Sequence, residues 1–281
     1  MKFGGFYWRI IRTNEDGSVR ILYSGTNHDT TTGYIGSSAF NSTNNNPMQV
    51  GYMYGTTGSL ANNRLNTNDS TIKTYVDNWY QNNLLTNYDK YISKIAIYCN
   101  DRSVGGGTYN IGSTTFYYGG YTRLYSNKSP SYKCGANTSD GLFQSTQAIE
   151  DKFSVSTTGG GNGQLKYPIA LMTADEVSFA GGLYLTSLSS PYAWYYTNSS
   201  NNSVTGTHWW WLISPYYWFG STSVSVVFYV RGSYSPGTLD DDDVDYSDAV
   251  RPVISISKCA KVKSGIGTPA SPYEIDENSC K

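Results

Sequence analysis

Two runs of β-branched and aromatic residues open the chain, at 6–13 (FYWRIIRT) and 18–25 (SVRILYSG). The residues between them, 14–17, read N-E-D-G, and Asn, Asp and Gly tolerate the backbone angles that a tight turn requires. Two strand-like runs around such a turn predict a β-hairpin. We therefore expect the protein to begin with two antiparallel strands.

A helical period of apolar positions follows further along the chain. Asp69 or Ser70 is suited to accept a hydrogen bond from the first helical turn, as an N-cap does. Apolar side chains then recur three and four residues apart, which places on one face Ile72, Tyr75, Val76 and Trp79. The pattern predicts a helix that ends near Leu85 and buries this face.

A second, shorter helix is predicted near the middle of the chain. Thr173 and Glu176 stand three residues apart, the spacing of a capping box in which each side chain bonds the other's backbone amide. The glycines at 181–182 end the helix, because glycine readily adopts the left-handed conformation that follows a helix. We expect Val177 and Ala180 to point into the core.

Three further runs are rich in β-branched residues, at 92–99, 223–230 and 249–256, and each predicts a strand. Pro252 cannot donate a ladder hydrogen bond, so the last run is expected at a sheet edge or as a strand that begins near this proline. Strands at both ends with helices between them predict a loop-rich α+β fold. We expect the first strand, at 6–13, and the last, at 249–256, to share one sheet.

Composition narrows the function classes. The 281 residues hold 20 Lys and Arg against 21 Asp and Glu, so no nucleic-acid partner is expected. Aromatic residues make up 15% of the chain, including 27 Tyr, which excludes an intrinsically disordered protein. A surface rich in Tyr, Ser, Asn and Gly is typical of proteins that bind other molecules, antibody loops among them.

No segment of the sequence is suited to a membrane. The longest apolar runs fall short of the ~18 residues that a membrane helix needs, so no direct membrane insertion is expected. Residues 1–10 lack the basic start and apolar centre of a signal peptide. A secreted protein with this start is either an ectodomain trimmed at its N terminus or a viral structural protein.

The four cysteines allow three disulfide pairings. The favoured pairing joins Cys99 to Cys134 and Cys259 to Cys280, because each pair brackets one short, turn-rich segment. Such bonds indicate an oxidising compartment, and hence an extracellular or cell-surface location. The alternative is four buried, reduced thiols. The cysteine spacing is unsuited to zinc, and no metal site is expected.

Several short segments together carry a resemblance to a known family. In the last third of the chain they are 211–215 (WLISP), 228–230 (FYV), 237–239 (GTL) and 250–254 (VRPVI). Upstream they are FYWRIIR, VDNWYQNNLL, YCNDRS and YPIALMTADEVSFAGG, and the tail adds SGIGTPASPYEID. In this order the segments resemble variable proteins of diversity-generating retroelements, which have a C-type lectin fold.

The resemblance implies a domain of C-type lectin type over 1–258, a variable region at about 209–256, and a tail, 259–281, pinned by a disulfide. It also implies non-catalytic binding of a protein or glycan on a cell or viral surface, without a cofactor. The binding surface would be rewritten by adenine-directed mutagenesis while the scaffold stays constant. Phage-tail, pilus-tip and anchored surface proteins are all compatible with this reading.

The expected ligand contacts are the polar and aromatic positions of the variable region. They are Tyr216, Tyr217, Phe219, Gly220, Ser221, Thr222, Ser223, Ser225, Arg231, Ser233, Tyr234, Asp240, Asp241, Asp242, Asp243, Asp245, Tyr246, Ser247 and Asp248. We expect these side chains to project from one contiguous exposed surface. The scaffold beneath is expected to contain Trp211, Trp218, Phe228 and Val230, with the Arg251 guanidinium bonded to buried oxygens.

One feature of the residues bears on the diversified reading independently. Mutation at the adenines of Asn codons produces Tyr, Asp, Ser and Gly among others, but never Lys, Glu, Gln or Met. Residues 212–250 contain none of these four types, and 209–256 contain no Asn. Depletion of Lys and Glu is also typical of a strand-rich segment, so both explanations remain open.

Three alternatives compete with this reading. The first is an undiversified carbohydrate-binding or adhesive module whose aromatic rings stack on sugars. The second is a calcium site at 240–248, but the carboxylates there lack the spacing of an EF-hand loop. The third is a fold-related enzyme, but Cys259 and Cys280 look structural and His208 is expected to be a packed residue rather than a base.

Overall fold

Short strands form most of the fold, and a computed structural model describes residues 1–135, 152–156, 158, 163–186 and 193–280. In chain order these ranges contain the strands β1 (Lys2–Phe3), β2 (Phe6–Thr13), β3 (Val19–Tyr23), β4 (Ser37–Ala39), β5 (Met53–Tyr54), β6 (Asn68–Asp69), β7 (Tyr98–Cys99), β8 (Val104–Gly106), β9 (Phe116–Tyr118), β10 (Lys152–Ser154), β11 (Gly163–Gln164), β12 (Ile169–Leu171), β13 (Trp210–Phe219), β14 (Val224–Val230), β15 (Leu239–Asp243), β16 (Ser247–Ala249), β17 (Pro252–Ile256), β18 (Val262–Ser264) and β19 (Glu274–Ile275).

The helices are few and mostly short, which makes the protein an α+β fold dominated by strands. They are α1 (Leu60–Asn63), α2 (Thr71–Asn83), α3 (Leu85–Tyr88), α4 (Gly119–Tyr121) and α5 (Ala174–Phe179), with 3₁₀ turns at Pro47–Val50, Asp89–Tyr91 and Ala193–Tyr195 and a π-helical turn at Thr122–Ser126. Within the described ranges, no helix has the length and apolar character needed to cross a bilayer.

The first sheet joins the two ends of the chain. Its strand order is β12-β17-β3-β2-β1-β19-β18, and β2 with β3 forms the predicted N-terminal hairpin. β17 lies antiparallel to β3, with Val253 opposite Leu22, so the prediction that both ends share one sheet is confirmed. Pro252 begins β17, as the missing amide requires.

The tail after Cys259 belongs to this same sheet. β19 runs parallel to β1, with Glu274 opposite Lys2, and β18 pairs with β19. The predicted disulfides are both present, Cys99 with Cys134 and Cys259 with Cys280, so the alternative of reduced thiols is wrong.

The second sheet holds the segment predicted to vary. Its strand order is β15-β14-β13-β16-β4, and β9 pairs with the far end of β13, where Tyr117 lies opposite Tyr217. β13 and β14 pair antiparallel, with Trp210 opposite Val230. The pairing register shifts twice within β13, between Trp211 and Tyr217, so the alternation of side chains is interrupted there.

Both predicted helices are confirmed. In α2 the Ser70 hydroxyl accepts from the Lys73 amide, and Ile72 and Val76 are fully buried, while Tyr75 and Trp79 are half-buried. The Thr173–Glu176 capping box is present in α5, with both bonds at 3.0 Å. The helix is followed by Gly181 at a φ of +96°.

One strand prediction is wrong. The run 92–99 was predicted to be one strand, but only its last two residues form one, β7 (Tyr98–Cys99). At the other end of the run, Ile92 forms an isolated bridge with Ile256. The Ser93 hydroxyl accepts from the Ala96 amide at 3.1 Å and donates to Asp16 at 2.5 Å. A serine side chain that bonds its neighbouring amides turns the chain and competes with strand pairing.

Arg251 is a scaffold residue, as expected. Its guanidinium is fully buried and donates to the carbonyls of Tyr23, Gly33 and Tyr195 at 2.6–3.2 Å. It also lies over the Trp210 ring, 4.5 Å from the centroid. Burial lowers the pKa of Arg251 well below its ordinary value. These bonds tie β17 to the hairpin and to the segment at 195.

Candidate functional site

The scaffold beneath the variable region is built from the strands of the second sheet. Trp211, Trp218, Phe228 and Val230 are all buried, as expected. The Trp218 indole donates to the Gly112 carbonyl at 2.9 Å, and the Trp211 indole donates to the Ser38 carbonyl at 2.8 Å. Because their indole nitrogens are bonded as well as their rings packed, these tryptophans fix the position of β13.

A connected group of aromatic rings lies on one face of this scaffold. We call it the tyrosine surface, and its members are Tyr117, Tyr121, Tyr125, Tyr184, Tyr216, Tyr217 and Phe219. Tyr117 stacks on Tyr121 with centroids 4.1 Å apart, and Tyr184 stacks on Tyr216 at 5.2 Å. Neighbouring rings along the group are 4.1–6.1 Å apart, so the rings form one uninterrupted patch.

Four of these tyrosines lie outside the predicted variable region and were missed. Tyr117 comes from β9, Tyr121 from α4 and Tyr125 from the π-helical turn, while Tyr184 follows α5. The signal for three of them is their spacing of four residues, which places side chains on one face of a helix. The sequence alone does not bring them beside β13, because that contact depends on the pairing of β9 with β13.

Two carboxylates of β15 border the tyrosine surface. Tyr184 donates its hydroxyl hydrogen bond to Asp241, and it accepts one from the Tyr216 hydroxyl at 2.6 Å. Burial raises the pKa of Asp241 to about 7, with a further contribution from neighbouring carboxylates, while the bond from Tyr184 acts in the other direction. Burial likewise raises the pKa of Asp243, and Asp245 adds to the effect.

Asp240 and Asp242 alternate with Asp241 and Asp243 along β15, so their side chains lie on the opposite face of the sheet. Asp240 accepts from Tyr229 at 2.8 Å and forms an ion pair with Arg231 at 2.5 Å, which fixes it on the opposite side of the strand from Asp241. On that side Trp209 stacks on Tyr229, with centroids 4.9 Å apart and planes within 4°. The expectation of one contiguous surface is therefore wrong, because a strand presents successive side chains to opposite faces.

The same opposite face carries two further acidic groups with raised pKa values. Burial raises the pKa of Asp242 to about 6 and that of Asp248 to about 7, with charge repulsion between carboxylates adding to both. Within the described ranges, no Lys or Arg side chain forms an ion pair with Asp241, Asp242 or Asp248. Asp241 and Asp242 in β15 and Asp248 in β16 are therefore carboxylates without compensating cations.

Four of the expected contact residues are buried, which corrects the expected exposure. Tyr216 is 6% exposed because a register shift in β13 turns it onto Phe228, 4.9 Å away. Ser225 is fully buried and donates to the Asn46 carbonyl at 2.7 Å. Gly220 is buried against the backbone of Ser113–Thr114, which a Cβ would approach to 2.4 Å. Asp240 is held by the Arg231 ion pair.

The remaining contact positions are accessible to different degrees. Tyr234 is 83% exposed, Tyr246 58% and Phe219 41%. The exposed polar positions are Ser221, Thr222 and Ser223 in the turn after β13, with Asp245 and Ser247 near β16. The partly buried positions are Tyr217, Arg231, Ser233, Asp241, Asp242, Asp243 and Asp248. Turn and edge positions of this kind accept substitution without disturbing the core.

Other chemistry is sparse around these residues. His208 was expected to be packed beside aromatic residues; its ring lies against the Tyr34 ring, with centroids 5.1 Å apart, but the residue is exposed. In the part of the chain that the structure describes, no group of three or more His, Cys, Asp or Glu side chains is arranged to hold a metal ion.

Comparisons of the chain with known protein families, with curated proteins and with solved structures find no match. The functional conclusion therefore depends on the geometry and chemistry of the residues themselves. The chemically distinctive feature described above on the second sheet is the tyrosine surface with its two acidic neighbours.

Proposed function

We propose that the protein is a non-catalytic recognition protein that binds a protein or glycan on a cell or viral surface. The observation that carries the proposal is the tyrosine surface, in which seven aromatic rings from three separate stretches of the chain meet on one face. Tyrosine provides large contact area, a hydrogen-bonding hydroxyl and little conformational freedom to lose on binding. Residues of this type dominate the binding energy of many interfaces.

Asp241 and Asp243, the two carboxylates beside the tyrosine surface, favour a partner that carries a basic group. A cation placed between Asp241 and Asp243 would meet carboxylates that no Lys or Arg of the described chain neutralises. The faces of Tyr217 and Tyr184 beside them attract cations through their ring electrons. Binding a basic group would lower the pKa of Asp241 toward its ordinary range and thereby stabilise the ionised form.

We further propose that the variable region, 209–256, is the part rewritten by adenine-directed mutagenesis, on a domain of C-type lectin type. The support is the resemblance of the sequence segments, the absence of Lys, Glu, Gln and Met from 212–250, and the exposed turn 221–223. The two disulfides support an extracellular or cell-surface location, since such bonds persist in oxidising compartments.

The binding proposal is tested with an array of defined glycans and an array of purified extracellular protein domains. The test variant carries Tyr217→Ser, Phe219→Ser and Asp243→Asn. A matched control carries Val262→Ser and Ile95→Ser, which also remove exposed apolar side chains but lie far along the chain from the tyrosine surface. Thermal unfolding of all three proteins verifies that the substitutions leave the fold intact.

We expect the parent's signals from basic protein domains and from glycans that carry amino groups to fall at least about tenfold in the test variant and to persist in the control. Array features bound by the parent should be enriched in basic proteins or in glycans that carry amino groups. Signals from these basic partners that survive the triple substitution in a folded protein would place their recognition elsewhere and overturn the proposal.

A further inference from the structure

A second concave site lies on the first sheet, away from the variable region. It is a cavity of about 320 Å³ between β2, the loop at His28, the segment Trp194–Ser199 and the tail loop 267–273. None of its lining residues belongs to 209–256. We call it the Arg9 cleft, because the Arg9 side chain reaches into it from β2. Its volume lies at the small end of the range for ligand pockets.

Aromatic rings form the walls of the Arg9 cleft. Tyr7 and Arg9 share one face of β2, and the Tyr7 ring meets His28 edge to face at 6.0 Å. Trp194 and Tyr273 line the cavity from two other segments, and both are half-buried. Flat, partly exposed aromatic faces of this kind bind the apolar faces of sugar rings or other flat groups.

The tail loop that carries Tyr273 is held in place by several contacts. The Tyr273 carbonyl accepts from the Lys2 amide at 2.7 Å, and the Cys259–Cys280 disulfide closes the tail. Gly267 has a φ of +84°, and a Cβ there would come within 2.7 Å of the Tyr273 ring. The glycine therefore allows the backbone to pack directly against this ring, so the wall of the cleft is preformed.

The Arg9 guanidinium supplies a positive charge to the cleft, beside the ammonium of Met1. Its Nε donates to the Ser24 hydroxyl at 2.9 Å and its Nη1 to the Trp194 carbonyl at 2.6 Å, while its Nη2 donates to no described residue. Within the described ranges no carboxylate forms an ion pair with Arg9. Burial lowers the pKa of Arg9 to about 10, so the group is still cationic at neutral pH.

The Arg9 guanidinium is not neutralised by a carboxylate of the described chain. The Asp29 carboxylate, next to His28 in the chain, accepts from the Ser199 and Ser200 hydroxyls, each at 2.8 Å. A second cation, Arg251, is close enough for the charge of Arg9 to lower its pKa further. A partly buried guanidinium with a free N–H and no carboxylate partner binds an anion most strongly when that anion is a carboxylate, because the two groups match in geometry.

We propose that the Arg9 cleft binds an acidic saccharide, a sugar whose ring carries a carboxylate. The carboxylate would accept from Nη2 of Arg9, and the ring would lie against Trp194 and Tyr273. The exposed His28 ring and the Thr268 hydroxyl, which has its hydrogen free to donate, are placed to bond sugar hydroxyls. A neutral sugar leaves Arg9 unpaired, whereas an acidic peptide lacks the flat apolar face that three aromatic walls match.

The test titrates the whole protein with 3′-sialyllactose and lactose, and with glucuronic acid and glucose, as matched acidic and neutral probes. Tryptophan fluorescence and saturation-transfer NMR report binding. We expect saturable binding of at least one acidic probe below about 10 mM, at least about tenfold tighter than that of its neutral partner. Equal binding of both members of each pair would overturn the proposal, as would tighter binding of an Asp- and Glu-rich peptide.

Two variants locate the effect and one control separates it from the tyrosine surface. Arg9→Met and Tyr273→Ala should each weaken the acidic probe at least about tenfold. Tyr273→Ala keeps the test valid if loss of the Arg9 bonds to Ser24 and Trp194 unfolds the first variant. Tyr217→Ser with Phe219→Ser should leave saccharide affinity unchanged. Undiminished binding by folded Tyr273→Ala would refute the site, whatever the outcome at the tyrosine surface.

Discussion

The carboxylates at the start of α5 and those along β15 have similar chemistry but opposite surroundings. Glu176 is buried and accepts from Arg12 and Arg20, each at 2.8 Å, and Asp175 accepts from Arg123 at 2.8 Å. Burial alone would raise the pKa of Glu176, but Arg20 and Arg12 hold it below its ordinary value. Asp241 has no such cation, and its pKa rises to about 7.

The difference separates groups that hold the fold from groups that are available to a partner. A buried carboxylate with two arginines is neutralised within the protein, so removing it leaves unpaired cations in the interior. A carboxylate at an open edge with a raised pKa gains most when a cation arrives from outside. Compensated charge therefore marks the scaffold here, and uncompensated charge marks the candidate binding surface.

The largest loss of stability is expected when the carboxylate that is neutralised by arginines is removed. Glu176→Gln should lower the free energy of unfolding by about 3 to 5 kcal/mol, because it leaves Arg20 buried without its partner. Asp241→Asn should raise the free energy of unfolding by up to about 4 kcal/mol at pH 8, because it removes a disfavoured charge. Urea unfolding with the disulfides intact measures both. Equal losses in the two variants would remove the distinction between the regions.

The same contrast should hold for aromatic rings of the tyrosine surface. Tyr216 is buried against Phe228, so Tyr216→Ala should cost about 3 kcal/mol of unfolding free energy. Phe219 is 41% exposed, and Phe219→Ala should change stability by less than about 1 kcal/mol. Urea unfolding again measures both, with Tyr234→Ala as an exposed control. A loss at Phe219 as large as that at Tyr216 would make the whole surface part of the core.

The dependence of stability on pH sharpens the comparison. The folded-state pKa values of Asp241 and Asp248 are both about 7, above the ordinary value of 3.8. Between pH ~4 and ~7 the unfolded chain therefore releases protons that the folded protein keeps, so these groups lower stability as pH rises. Glu176 acts in the opposite direction, because its pKa is lower in the folded protein than in the unfolded chain. Its ionised form stabilises the fold at pH values above its ordinary pKa, and this stabilisation is lost on acidification.

We expect the double variant Asp241→Asn, Asp248→Asn to lose this acid-favoured contribution. Relative to the parent, its unfolding free energy should increase by ~3 kcal/mol for each of the two carboxylates between pH ~4.5 and ~7.5. Urea unfolding at a series of pH values in constant salt measures the difference. Parallel pH profiles for parent and variant would mean that the two carboxylates titrate normally in the folded protein.

The smallest expected effect concerns one hydrogen bond. The Tyr184 hydroxyl donates to Asp241 and opposes the rise in its pKa. Tyr184→Phe should therefore raise the pKa of Asp241 further, by about one unit, because the ionised form loses a donor. Carbon-13 NMR of the side-chain carboxyl measures the titration, with Asp245 as an internal control. An unchanged or lower pKa would show that the bond does not act on Asp241.

The parts of the fold predicted from sequence are those determined by neighbouring residues. The Ser70 cap, the Thr173–Glu176 box and the N-terminal hairpin all follow from side chains within a few positions of one another. The run 92–99 was mispredicted because Ser93 bonds its own neighbouring amides, a competition that β-branched composition does not reveal.

The candidate site was only partly predictable, because it depends on contacts between distant segments. Tyr184 joins the tyrosine surface by stacking on Tyr216, 32 positions away, which no local pattern indicates. The burial of Tyr216 follows from the register shifts in β13, and such shifts upset the simple alternation of a strand. The acidic run at 240–243 was recognised, but its division between two faces required the pairing of β15 with β14.

The most direct test of the central claim is deep sequencing of the codons for 209–256 in a population that carries the gene with any neighbouring reverse transcriptase. The account predicts adenine-derived changes at accessible positions such as Tyr217, Phe219 and Asp243. It predicts none at Tyr216 or Ser225, which are buried. Substitutions spread evenly over buried and exposed codons, or a segment no more variable than its flanks, would contradict a diversified recognition surface.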